Sequence, residues 1–182
     1  MKCLVVFLGL AASLGAADFR AALEAYNRGD FATAIREWEP LAGRGDPQAQ
    51  YNLGLAYARG QGGSPDYARA AEWYRKAAGQ GVAAAAFSLG VLYDTGRGVP
   101  QSYQQALELY RKAADEGDAG AMNNIGILYY NAEGVERDLV EAYAWFARAQ
   151  KHGDPRAAEL ISWASENMTR KQIEKAQALA GE

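Results

Sequence analysis

The chain has 182 residues, 49% apolar and 23% charged, with a formal net charge of −3. That composition is globular rather than disordered, and so weak a charge provides no field favouring a nucleic acid or a membrane surface. One cysteine and one histidine leave no material for a disulfide framework or a Cys/His zinc site.

The first 17 residues differ from the rest. Lys2 gives a positive start, Leu4 to Leu14 is apolar, and Gly15 and Ala17 place small side chains before Asp18. This is the pattern of a secretory signal peptide over residues 1–17, cut after Ala17. The apolar run is shorter than the roughly 20 residues of a membrane-spanning helix, so no stable membrane insertion is expected after cleavage. Cys3 lies far from the cut, which argues against lipid attachment. Without the leader the chain has no cysteine, and loss of Lys2 takes the charge from −3 to −4. The sequence thus predicts an exported protein, periplasmic or secreted, held by its packed core alone.

Residues 18–46 read as an N-terminal capping helix hairpin: a helix from Ala21 to Arg28, a break at Gly29-Asp30, and a second helix from Phe31 through Trp38 to Ala42. From Ala49 onward the sequence repeats. Leu53-Gly54 returns as Leu89-Gly90 and Ile125-Gly126, Tyr57 as Tyr93 and Tyr129, Ala70 as Ala106 and Ala142, and Tyr74 as Tyr110 and Phe146. The offset is 36 throughout (54 to 90 to 126). A period in this range signals a stacked array, divided here as 47–82, 83–118 and 119–154.

Each copy predicts two helices. In the first, helix A runs from about Pro47 to Arg59 and helix B from about Pro65 to Gly79, joined by Gly60-Gln61-Gly62-Gly63-Ser64. Gly45-Asp46-Pro47 punctuates the join between copies. Glycine suits the left-handed end of one helix, and Asp-Pro suits the start of the next. The device returns as Gly117-Asp118 and Gly153-Asp154-Pro155, whereas Gly81-Val82 lacks the cap. Residues 155–182 read as C-terminal capping helices: Pro155 to Ser165, then an amphipathic helix opened by the capping box Thr169-Arg170-Lys171-Gln172.

Leu89, Gly90, Tyr93, Gly96, Gly98, Val99, Ala106, Tyr110, Lys112, Ala113, Ala114 and Gly117 carry a pattern that resembles the Sel1-like repeat, a tetratricopeptide relative. Trp73, Tyr74, Lys76, Ala77 and Ala78 show it again. The resemblance covers about Asp46 to Asp154. Two departures, Gly63 for valine and Ala132 for the first loop glycine, bear on loop shape. The resemblance implies an all-α, right-handed solenoid of helix hairpins, of the exported bacterial type, that serves as a protein-binding adaptor or scaffold. One exported, cysteine-rich branch is linked to penicillin binding and β-lactam hydrolysis. That alternative fits poorly with a chain lacking mature cysteines, and a self-associating structural unit is a third reading.

Chemistry is otherwise sparse. His152 falls in the last turn of a helix B, where a cation suits the helix dipole, as do Arg75-Lys76 and Arg111-Lys112. The glycine loops follow helices and lack the Gly-Lys-Ser/Thr of a phosphate loop. Ser88, Ser162 and Ser165 have no elbow motif, and Asp94 and Glu133 read as single acids. No enzyme activity, cofactor, metal or nucleic-acid partner is expected. The candidate site is instead a concave groove lined by the A helices, with the positions outside the packing stripe pointing into it. These are Tyr51, Asn52, Leu55 and Arg59, then Phe87, Ser88, Val91 and Thr95, then Asn123, Asn124, Ile127 and Asn131. Each copy offers an apolar residue among polar neighbours, and asparagine amides can pair with a peptide backbone. The expected partner is a protein or peptide.

Overall fold

The computed structural model describes residues 18–181; the signal-peptide expectation for 1–17 lies outside them. Among the described residues there are helices and no strands. The chain divides into two compact units at Val82/Ala83.

The first unit holds α1 (18–27), α2 (Phe31–Gly43), α3 (Pro47–Ala58) and α4 (Tyr67–Gly79). Its core begins where Ala22 and Ala25 of α1 meet Ala34, Trp38, Leu41 and Ala42 of α2, and continues through Ala49 and Leu53 of α3. The second unit holds α5 (Ala83–Thr95), α6 (Tyr103–Asp115), α7 (Ala119–Asn131), α8 (Leu139–Lys151), α9 (Ala157–Ser165) and α10 (Arg170–Leu179).

Most of these helices start on a side-chain cap that satisfies an otherwise unpaired backbone N–H. Asp46 accepts from the Ala49 N–H at 2.8 Å, Asp66 from Arg69 at 3.0 Å and Asp118 from Ala121 at 2.8 Å. The Thr169/Gln172 capping box is present as expected. Besides α1, which is helical from residue 18 rather than from Ala21, two starts differ from the sequence reading. The first helix B begins at Tyr67 rather than Pro65, because the Asp66 cap sets the boundary. The helix expected from Pro155 begins at Ala157, because Asp154 accepts from the Arg156 N–H at 2.8 Å and folds residues 155–156 into a turn.

The A-to-B loops are alike in all three copies. The N–H of Asp66 donates to Tyr57 O (2.9 Å), that of Ser102 to Tyr93 O (2.9 Å) and that of Asp138 to Tyr129 O (3.1 Å). The departures at Gly63 and Ala132 therefore leave the loop closure intact. Ala132 complies at a cost: its φ of 62° matches Gly60 (66°) and Gly96 (67°), and it is the one non-glycine residue in that region among the described residues. A left-handed alanine is strained by about 1 kcal/mol or more, which exceeds the entropy a glycine adds to the unfolded chain. Ala132→Gly is expected to raise stability by about 0.5–1 kcal/mol, read as a shift in urea midpoint at constant slope.

The C-terminal helix docks on α8. Gln177 reaches Tyr143 Oη (3.4 Å), Arg148 donates to Leu179 O (2.7 Å) and Lys151 to Ala180 O (2.6 Å). The pairs advance together along both helices, so α10 runs parallel to α8. Two cations of α8 thereby cap the last carbonyls of α10.

Candidate interaction surface

Each A helix presses its Leu-Gly or Ile-Gly pair against an aromatic ring of its own helix B. A Cβ at Gly54 would lie 2.5 Å from the Tyr74 ring and one at Gly90 2.7 Å from the Tyr110 ring; one at Gly126 would collide with Phe146. These glycines allow the two helices of a hairpin to approach closely, and they leave the other faces of helix A to form the candidate site.

The twelve candidate residues do not share one environment. The Tyr51 ring packs tilted against Tyr74 with centroids 5.9 Å apart, and Phe87 likewise against Tyr110 at 5.9 Å. Phe87 also lies against Gly120 of α7. Asn123, which follows Phe87 by one period, is fully buried. Its amide closes no hydrogen bond of ordinary geometry among the described residues. Burial pushes the neighbouring Asp154 carboxyl up, but the Arg156 hydrogen bonds and charge, with a smaller contribution from Asn123, hold it below the ordinary aspartate range. Placing Asn123 in an open groove is therefore corrected. Its register position is a packing position, occupied elsewhere by rings that bridge helix A to helix B, and a partner cannot reach it here.

Other polar members are engaged locally. Ser88 donates to Ala84 O (2.8 Å), Thr95 to Val91 O (2.7 Å), Asn131 to Glu133 (3.3 Å), and Arg59 to Tyr26 Oη of α1 (3.0 Å). Asn52, Leu55, Val91, Asn124 and Ile127 are half-buried. Leu55, Val91 and Ile127 recur at one period and offer partly exposed apolar surface.

Sequence reasoning missed a polar junction in the second unit. Tyr110 donates to Asp94 Oδ2 at 3.0 Å, Asn124 lies beside the same hydroxyl, and Glu133 is near enough to act on Asp94. Asp94 and Glu133 are far apart in sequence, and only the stacking of α5 and α7 brings them together. Burial pushes the Asp94 carboxyl up; the Tyr110 hydrogen bond opposes this and the Glu133 charge adds to it. Burial and the Asp94 charge push the Tyr110 hydroxyl well above its ordinary range, so it remains a donor. A carboxyl raised in the folded state binds protons more tightly there than in the unfolded chain. Stability therefore falls as pH rises between the unfolded and folded pKa values, and stays lower above them. Asp94→Asn is expected to raise the melting temperature at pH 7, with the gain vanishing below the ordinary aspartate range.

His152 is the C-cap of α8, with Nδ1 3.0 Å from Arg148 O and its ring against Gly117. Among the described residues, no group of three or more His, Cys, Asp or Glu is arranged to hold a metal ion. No helix among them is long and apolar enough to cross a membrane.

The model of the Sel1 repeat matches the chain three times, over residues 47–82, 83–118 and 119–154. The chain belongs to the Sel1 repeat family. No curated protein sequence matches it. Among solved structures it is similar to a protective antigen present in uropathogenic Escherichia coli strains, which displays an SLR fold. The two are 35% identical over 93% of this chain with a TM-score of 0.81. The match spans only 38% of the antigen's length. The chain is also similar to a Sel1 repeat protein from Oxalobacter formigenes, at 29% identity over 90% of this chain and 70% of that one, with a TM-score of 0.76. The fold is thus the all-α helix-hairpin solenoid of Sel1 repeats, and Sel1 repeats are in general protein-interaction modules.

The register extends beyond the three matched repeats. Asp154, Ala157, Ile161 and Ala164 stand 36 residues after Asp118, Ala121, Ile125 and Leu128. Ala157 and Ala164 are fully buried. α9 is therefore a fourth helix A of the Sel1 array, in which Trp163 takes the position of Ile127 and Val91.

Proposed function

We propose that this Sel1 repeat chain is a non-enzymatic adaptor of the cell envelope that docks a protein or peptide along its A helices. The observation that carries this reading is the recurrence of one partly exposed apolar residue per repeat, Leu55, Val91 and Ile127, beside polar or hydroxyl side chains at fixed register. Each supplies apolar area to a partner, Leu55 from the first unit and Val91 and Ile127 from the second, while the neighbouring polar groups satisfy the partner's backbone. Export rests on the leader pattern of residues 1–17, and a periplasmic site is preferred over a secreted one.

A photo-crosslinking residue placed at Val91 or Ile127 in the native cell is expected to capture one discrete partner. The same residue at Glu108, exposed on α6, is expected to capture none, and Val91→Lys should weaken capture while leaving helicity unchanged. Equal capture from position 108, or its absence at both 91 and 127, would rule out the A-helix surface. A β-lactamase-like activity would show as turnover of a chromogenic cephalosporin by the purified protein; none is expected.

A further inference from the structure

We propose that the exposed face of α9 is a receptor for an arginine or lysine side chain of the docked partner, with Trp163 as its aromatic floor and Glu159 and Glu166 as its walls. The inference rests on the adaptor reading above and specifies the chemistry of one of its contacts.

Trp163 is 39% exposed, and only Leu23 is comparable among the large hydrophobic residues described. The indole is nevertheless held in place. Tyr130 stacks on it with ring centroids 3.7 Å apart and planes 27° apart. Tyr130 is in turn held by Arg137, whose Nε donates to Tyr130 O at 3.1 Å and whose guanidinium lies 5.2 Å from the ring centre. A depression of about 400 Å³ opens beside the indole, lined by Glu159, Leu160, Ser162, Trp163 and Glu166. Tyr130 is not among its walls, so the depression is reached without displacing the stack.

Charge at this depression has a single sign. Glu159 and Glu166 lie four residues before and three after Trp163, on one helical face, and neither forms an ion pair among the described residues. The one nearby cation on the same segment, Arg156, is committed to Asp154 at 3.2 Å. Glu166 is also the C-cap of α9, where a carboxylate opposes the helix dipole. Its own helix gives it no electrostatic reason to be there, whereas an incoming cation would.

The chain's other tryptophans show what is missing. Lys76 Nζ lies 4.1 Å from the Trp73 ring centre, and the Arg148 guanidinium 4.7 Å from that of Trp145; Trp38 is buried. Trp163 alone is exposed with no cation on its ring among the described residues. An indole face bordered by two carboxylates attracts a guanidinium or ammonium through both the ring quadrupole and direct charge.

The test uses fluorescein-labelled, amidated peptides Gly-Ser-Leu-X-Leu-Ser-Gly, with X as Arg, Lys, Gln or Glu, titrated with the whole protein and read by anisotropy. The Arg and Lys peptides are expected to bind about tenfold tighter than the Gln peptide, with the advantage shrinking in high salt. Trp163→Leu, and separately Glu159→Gln with Glu166→Gln, should remove that advantage; the glutamine pair leaves the packing of α9 untouched. Equal binding of the Arg and Gln peptides, no binding of any, or an Arg preference that survives both variants would overturn the proposal. So would concentration-dependent sedimentation abolished by Trp163→Leu, since the occupant would then be a second copy of the chain. Each of these results leaves crosslinking from positions 91 and 127 as an independent test of the adaptor reading.

Discussion

Gly126→Ala is expected to cost about 2–4 kcal/mol of stability, although alanine is the better helix former by about 1 kcal/mol. The added methyl would collide with the Phe146 ring and sit 3.0 Å from Ala142 O. Phe146 and Ala142 are fully buried, so neither the ring nor the backbone of α8 has room to yield. Helix propensity favours the substitution, but the steric clash in this close packing outweighs it. Gly79→Ala is the matched control, because a Cβ there meets nothing within 4 Å. That variant should be neutral or stabilised by up to about 1 kcal/mol. In urea titrations the Gly126→Ala midpoint should fall, while that of Gly79→Ala should hold or rise. Equal shifts would mean that the contact of helix A with helix B is not what these glycines serve. Trimming the ring as well, in Gly126→Ala with Phe146→Leu, should recover part of the loss, with the coupling given by the double-mutant cycle.

Trp38→Ala should cost about 3–5 kcal/mol, the range for emptying a large buried site. Trp38 is 1% exposed and sits between α1 and the start of the array, with Tyr26 5.4 Å away. Its indole N–H forms no hydrogen bond among the described residues. Trp38→Phe therefore removes an unsatisfied donor along with some volume, and its cost should be at most about half that of the alanine variant. Comparable losses for both would show that the indole nitrogen has a partner after all.

Much of this architecture was legible in the sequence because it rests on residue types that few positions tolerate. The Leu-Gly pairs, the Asp and Thr caps and the aromatic residues of the B helices each answer a local requirement, and a constant offset of 36 identifies them. The candidate site was less legible. Asn123 looks like a groove residue by type, yet it is buried by position, since its register belongs to the rings of Tyr51 and Phe87. Those two aromatics were the available signal. The junction of Asp94, Tyr110, Asn124 and Glu133 escaped because contacts between stacked helices leave no periodic trace when a single repeat carries them. Trp163 escaped because α9 keeps the repeat's alanines and loses its glycine and tyrosine. It therefore read as part of an apolar cap rather than as a further helix A with an open face.

The parallel seating of α10 on α8 has a consequence for how the molecule comes apart. Within each unit, the principal contacts join helices that follow one another in the chain, apart from this last pair, which skips one. Bringing near neighbours together closes only short loops, so the folding barrier contains little loop-closure entropy. Such a chain should fold fast and open in stages rather than all at once. Amide protons of α10, held through a few side chains of α8, should exchange ahead of those of α7 and α8. α10 would then act as a clasp on α8, its release preceding and licensing the unravelling of the repeat beneath it.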